Sequence, residues 1–213
     1  MSSDEQPKSD ATAWFEPLYA SAEGDPSQIP WADERPNPWL VEWLDREQPR
    51  ANGSAAVVVG SGLGDDAEEL ARRGFDVTGF DISSTAIAWA ERRFPDSPVA
   101  YRTADLFALP PSLEGAFDFV FEAYTLQALP HEIRSTAVAS VASLLAPGGS
   151  LLVVARGRED SEEIQGPPWP LSHRELRGFN VAGLLESSFD DFLDTTREQP
   201  IRRFRVHYLR PIS

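Results

Sequence analysis

The chain contains no cysteine, which excludes disulfides, a thiolate nucleophile and the common thiolate zinc sites; no metal centre is expected. Positive charge is scarce: 19 basic residues stand against 34 acidic ones, and a single lysine, Lys8, is present. A net charge of -15 repels phosphate backbones and acidic lipid surfaces at long range, so neither nucleic acid nor a membrane is the expected partner. No apolar run approaches the ~20 residues that a membrane span needs. The opening "MSSDEQPKSDAT" lacks a basic segment followed by an apolar one, and the expectation is a cytoplasmic protein.

What is present has an ordinary globular balance, with 41% hydrophobic, 10% aromatic and 25% charged residues among 213. That length suits one domain. Residues 1–12 are polar and charged and read as a disordered tail. The remainder, 13–213, reads as a single domain with a cap over 13–50 and a core over 51–213. The cap interleaves Trp14, Trp31, Trp39 and Trp43 with prolines, and "NPWLVEWLDRE" predicts a helix: Asn37 can cap it, Pro38 suits its first turn, and Leu40, Trp43 and Leu44 share a face.

From residue 55 strand-like and helix-like segments alternate. "AAVVV", "FDVTGFD", "VAYRTAD", "FDFVFEA" and "SLLVVARG" read as five strands. "DDAEELARRG" and "SSTAIAWAERRF" read as helices, and a third helical stripe carries Ile133, Ala137, Val141, Leu144 and Leu145 before Pro147, Gly148 and Gly149 stop it. "GPPWPLSHREL" supplies a Pro-rich loop and a helix. The segments "FDDFLDTTRE" and "RRFRVHYLRP" read as a closing strand pair, one of them antiparallel, with the arginines and His207 of the last alternating outward. The rhythm predicts an α/β, Rossmann-like, doubly wound and mainly parallel seven-stranded sheet, with ligand bound beyond the carboxyl ends of the strands.

The stretch "VVVGSGLGDDAEEL" carries the first chemical signal. Gly60, Gly62 and Gly64 follow a buried-type strand and precede a helix, the arrangement of a nucleotide-binding turn. The dinucleotide pattern G-x-G-x-x-G puts a third glycine at position 65, where Asp65 stands, followed by Asp66. Two carboxylates beside a pyrophosphate would repel it by about 4 kcal/mol per unit pair at 4 Å and an effective dielectric of 20. No G-K-S or G-K-T follows, so the phosphate-binding P-loop fails too. A cationic nucleoside without phosphates meets no such obstacle, and S-adenosylmethionine is one. Asp81 closes the second strand, where a carboxylate can accept from both ribose hydroxyls. Asp105 ends the third, where it can accept from an adenine amine.

Five motifs in order, "VVVGSGLG", "GFDIS", "TADLF", "FDFVFEAYTLQAL" and "LLAPGGSLLVV", resemble those of the class I S-adenosylmethionine-dependent methyltransferases. The resemblance covers residues 50–213. "IPWADERPNPWLVEWL" and "GPPWPLSHREL" are similar to segments of the thiopurine, thiol and halide methyltransferase group. One departure stands out: Val57, Val58 and Val59 occupy the first strand, where many members carry an acid.

The resemblance implies an enzyme that methylates a small-molecule acceptor, with a thiol or other soft nucleophile favoured. The rivals are an oxygen or nitrogen acceptor and a non-catalytic cofactor-binding protein on the same fold. The cofactor-binding candidates are Gly60, Ser61, Gly62, Gly64, Asp81, Ile82, Asp105, Leu106, Glu122 and, from the cap, Trp31. The transfer-site candidates are Glu122, Tyr124 and His131. A soft anion needs little beyond in-line positioning, whereas a protonated acceptor needs a general base.

Overall fold

The computed structural model describes residues 11–196 and 198–212, and the chain forms two compact units divided after Pro110. Of the expected tail, residues 1–10 lie outside the described residues; Thr12, next to them, is buried.

In the first unit, α1 spans Phe15–Ser21, and a 3-10 turn covers Pro26–Gln28, its start capped by the Asp25 carboxylate. The next helix, α2 (Pro38–Glu47), begins where the sequence puts it: the Asn37 side chain accepts from the N–H of Trp39 at 3.0 Å, and Pro38 fills a position whose N–H would have no partner. Leu40, Trp43 and Leu44 are its buried stripe. Three parallel strands follow, β1 (Ala55–Val59), β2 (Asp76–Asp81) and β3 (Ala100–Thr103), in the order β3-β2-β1. The crossovers are α3 (Asp65–Arg72) and α4 (Ser84–Arg93). Val57, Val58 and Val59 are all buried, as a strand covered on both faces requires.

The cap groups with β1–β3 because charged and polar side chains pin it there. Asp66 Oδ1 accepts from the backbone N–H of Asn37 at 2.6 Å, which fixes the start of α2 against the start of α3. Arg73 joins Asp45 of α2 at 2.7 Å and Glu69 at 2.8 Å. Tyr19, Ala22 and Ile29 pack with Leu63, Ala86 and Trp89 in one buried cluster.

The second unit holds β4 (Phe117–Ala123), α5 (His131–Ser143), β5 (Leu145–Arg158), the two-residue β6 (Leu171–Ser172), the short α6 (His173–Leu176) and α7 (Gly178–Val181), β7 (Leu185–Asp194) and β8 (Ile201–Leu209). Its strands run β4-β5-β8-β7, with β6 on β5; β8 is antiparallel to both β5 and β7. The first unit's strands are parallel and the second unit's are mixed; among the described residues the strands number eight, the addition to the expected seven being β6.

Two expectations need correction. Leu145 does not continue the helical stripe: α5 ends at Ser143 and β5 begins at Leu145, running through Pro147, Gly148 and Gly149. The N–H of Gly148 donates to Arg210 O, and that of Arg210 to Gly149 O, so this stretch is tied to the chain after β8. Two of the three arginines of β8 do not face solvent either, whereas Arg202 is half-buried and paired with Asp191 and Glu159. Arg203 and Arg205 are buried and paired with Asp194 (3.2 Å) and Asp190 (2.8 Å) of β7, and His207 is half-buried, because β8 lies inside the sheet.

Gly64 shows how tightly α3 sits against the sheet. Its φ is +94°, and a Cβ there would collide with the Tyr101 hydroxyl and lie 3.2 Å from Ala90 Cβ. It therefore supplies the close packing that the dinucleotide pattern assigns to its third glycine. Gly53, at φ +78°, has nothing within 4 Å of such a Cβ. In urea unfolding, Gly53→Ala should show only the left-handed strain, roughly 1–2 kcal/mol. Gly64→Ala should lose distinctly more; equal losses would refute the packing role.

Candidate functional site

All three glycines of the turn after β1 have positive φ, +62° at Gly60, +51° at Gly62 and +94° at Gly64, a conformation costly for any residue with a Cβ. The turn's amides are spent internally: Ser61 N–H donates to Phe80 O, Gly64 N–H to Ser61 O, and Gly62 N–H to Asp81 Oδ2 at 3.0 Å. Asp81, last residue of β2, also accepts from Ser83 N–H through Oδ1 at 2.9 Å. It is buried, and burial raises its pKa to about 6 against the opposing pull of its backbone donors. A carboxylate offers about four acceptor sites, so each oxygen keeps room for a ligand hydroxyl. Ile82 beside it is half-buried.

The Asp81 grip continues into the cap. Ser83 caps α4 by accepting from Ala86 N–H, and its own hydroxyl donates to Glu16 Oε2 at 2.6 Å. Glu16 also accepts from the hydroxyl and the N–H of Thr85, so α1 is latched to the start of α4. These donors hold the Glu16 carboxyl below its ordinary pKa. Nothing in the residue types of "WFEPLY" singled out Glu16; its partners lie 67 and 69 positions away. Asp105 stands two residues beyond β3, half-buried, accepting from Phe107 N–H at 2.8 Å, and Leu106 is buried.

Trp31 is 37% exposed, with its ring set edgewise against Trp14, Phe15 and Tyr19 at 5.9–6.1 Å. Its indole N–H donates to Tyr19 Oη at 2.8 Å. The Tyr19 hydroxyl in turn lies over the glycine turn, 3.1 Å from where a Cβ on Gly62 would be.

Asp65 and Asp66 do other work than the sequence argument gave them. Arg93 clasps Asp65 through two nitrogens at 2.7 and 2.9 Å, which cancels its charge toward the turn. Asp66 is taken up by Asn37, and burial raises its pKa to about 7. Their repulsion of a phosphate is correspondingly reduced. The preference for a cationic nucleoside does not rest on them.

In the second unit, Glu122 near the end of β4 is fully buried. Its Oε1 accepts from Leu126 N–H at 3.0 Å, and Oε2 has no hydrogen-bond partner among the described residues. Burial pushes its pKa to about 7, against the pull of the Leu126 and Thr125 N–H groups. Tyr124 has φ +66°, and the Arg203 guanidinium sits 5.1 Å from its ring centroid. His131 opens α5 with a side chain 77% exposed, its Nδ1 3.4 Å from a Glu175 carboxylate that Arg134 and Arg158 already hold at 2.6 Å. That leaves His131 at the surface beside a paired acid. Gln127, which sequence reasoning missed, is buried; its side-chain oxygen accepts from Arg156 N–H at 2.7 Å and its carbonyl from Trp169 N–H at 2.7 Å, fixing the Pro-rich loop.

These features suit an adenosine-type cofactor: Asp81 with acceptor capacity to spare, a buried Ser61 Oγ without a partner among the described residues, and glycines that let backbone approach. Among the described residues no cluster of acids and histidines could hold a metal, and no helix is long and apolar enough to cross a membrane.

A glycine turn and acids at the carboxyl ends of a mainly parallel sheet define the layout of class I S-adenosylmethionine-dependent methyltransferases. Solved structures agree on the fold. The Burkholderia thailandensis 1,6-didemethyltoxoflavin-N1-methyltransferase, determined with S-adenosylhomocysteine bound, superposes with a TM-score of 0.75 at 16% identity over 96% of this chain and 90% of its own. The magnesium protoporphyrin IX methyltransferase from Synechocystis, also with S-adenosylhomocysteine, gives 0.71 at 18% over 93% and 99%. The sequence profile of thiopurine S-methyltransferase matches residues 24–209, and the chain belongs to that family. A thiopurine S-methyltransferase of Legionella pneumophila is 28% identical over 165 residues, 70% of this chain and 73% of its own. Thiocyanate methyltransferase 1 of Arabidopsis thaliana is 30% identical over 144 residues, 66% and 61% respectively. The protein is therefore a methyltransferase whose cofactor is S-adenosylmethionine.

A ribose hydroxyl donating to Asp81 favours its ionised form, so binding competes with the proton that burial holds there up to about pH 6. Calorimetry with S-adenosylhomocysteine should show affinity flat above about pH 7 and falling by up to tenfold per unit below about pH 6. Asp81→Asn should bind weakly without that slope. A wild-type profile that is level through this window would remove Asp81 from the ribose.

Proposed function

We propose that the enzyme methylates the sulfur of a small thiol, with Glu122 taking the thiol proton. The observation that carries this reading is Glu122 itself: buried at the carboxyl end of β4, anchored through Oε1, with Oε2 free of partners among the described residues and a pKa raised to about 7. A base poised near neutrality is half ionised at working pH and matched to proton transfer from a thiol. Relatives named for thiopurine and for thiocyanate support a soft sulfur acceptor.

The cofactor, when bound, would supply an electrophilic methyl group on a sulfonium, whose methyl–sulfur bond breaks in the transfer to leave a neutral thioether. The chain's own residues do the rest. Gly60, Gly62 and Gly64 let backbone approach; Asp81 accepts from the ribose hydroxyls; Asp105 and Leu106 bound the adenine. Glu122 Oε2 receives the proton that the thiol sulfur gives up as its lone pair forms the new carbon–sulfur bond. Tyr124, braced by Arg203, lines the acceptor side. His131, exposed and beside a paired glutamate, is assigned no proton-transfer role. With a net charge of -15 the protein acts on a small solute, in the cytoplasm, rather than on nucleic acid or a membrane surface.

A second reading, an oxygen or nitrogen acceptor, is favoured by the same base, and substrate choice separates the two. Across a panel of neutral thiols, phenols, amines and thiocyanate, methyl transfer should be fastest to sulfur. Glu122→Gln should lower kcat on a neutral thiol by about 10²-fold or more, the usual worth of a general base. Transfer to thiocyanate, already an anion, should stay within about threefold. Parallel losses on both would show that Glu122 shapes the site without handling a proton.

A further inference from the structure

The Tyr19 hydroxyl proton is not used by anything so far described. The side chain is 2% exposed, and its oxygen accepts the indole N–H of Trp31 at 2.8 Å. Its own proton is donated to no group among the described residues. Burial, together with the nearby negative charge of Asp81, holds that proton firmly by raising the phenol well above its ordinary pKa. A buried donor without an acceptor is costly, and such groups in a native protein generally face a ligand or water.

Its position narrows the ligand. The hydroxyl lies over Gly62, in the turn that faces the cofactor. The cofactor's amino-acid part brings an α-carboxylate, which needs hydrogen-bond donors. The amides of Ser61, Gly62 and Gly64 are committed to Phe80 O, Asp81 and Ser61 O. Asp81 and Glu16 are acceptors only when ionised. The indole N–H of Trp31 is spent on Tyr19. The Ser61 hydroxyl belongs to the turn itself; among the described residues the phenol proton is the uncommitted donor that α1 presents over Gly62.

On the methyltransferase reading, we propose that Tyr19 donates its hydroxyl proton to the α-carboxylate of the cofactor, and that Trp31 acts through Tyr19 as a positioning residue that aims the phenol. Latching of α1 by Glu16 to Ser83 and Thr85 puts Tyr19 in place, so the cap's contribution to the cofactor is one oriented hydroxyl.

The test is calorimetry with two probes, S-adenosylhomocysteine, which has the carboxylate, and 5′-methylthioadenosine, which has the nucleoside and thioether but no amino-acid part. Tyr19→Phe keeps the ring and removes the donor. It should weaken S-adenosylhomocysteine about tenfold or more, as loss of a hydrogen bond to a charged group does, and leave methylthioadenosine unchanged. Trp31→Phe should reproduce the selective loss at smaller size, and it carries the test alone if Tyr19→Phe does not fold. Loss shared equally by both probes in these variants, or no loss for S-adenosylhomocysteine, overturns the proposal. A wild-type protein that binds neither probe would instead overturn the cofactor assignment on which it rests.

Discussion

One carboxylate holds the cofactor end of this protein together. Asp81 accepts from the N–H of Gly62 on one oxygen and from that of Ser83 on the other. It thereby joins the glycine turn after β1, the end of β2 and the start of α4 in a single hydrogen-bonded unit. Through Ser83 the unit extends to Glu16 and α1, and through α1 to Tyr19 and Trp31. Fixing a carboxylate by two backbone donors, in a buried position, sets the orientation of its remaining lone pairs before any ligand arrives. Such preorganisation lowers the cost of binding.

Acids withdrawn from water, wholly or in part, recur in a protein already rich in negative charge. Asp66, Asp81 and Glu122 are each pushed upward by desolvation, to about 7, 6 and 7. Their folded pKa values exceed the unfolded ones, so their ionisation costs stability as pH rises from about 4 through 7. Asp66 offsets part of this by fixing Asn37, whereas Asp81 and Glu122 keep acceptor capacity that the fold does not use.

The order of strands and helices was legible because each segment announces itself locally: glycines and prolines punctuate, Asn37 and Ser83 cap, and apolar runs of five to seven residues mark covered strands. Asp81 and Glu122 became candidates by position, since ligands gather at strand ends. What the sequence hid was pairing across distance. Asp65 and Asp66 drew attention as two carboxylates beside the glycine turn, yet their partners Arg93 and Asn37 lie 28 and 29 residues away. The cofactor inference was right while its electrostatic reason was not. Leu145 fits a helical period and a buried strand equally well, and only the β4 pairing decides between them. Arg203 and Arg205 alternate like surface residues because alternation tells which residues share a face, and not which side chains the neighbouring strand sets beside them, here Asp194 and Asp190 of β7.

The same two arginines give the sheet a chemical character of its own. The ion pairs described between elements here, Arg93 with Asp65, Arg134 and Arg158 with Glu175, Arg203 with Asp194, Arg205 with Asp190, rely on guanidinium groups. The one lysine, Lys8, falls outside the described residues. Guanidinium keeps its charge at any pH where the fold survives, and it does not react as an amine. Acylating and amine-coupling reagents, enzymatic acetylation included, therefore find nothing to neutralise in the framework, which can be tethered or labelled through amines without touching an ion pair that holds it.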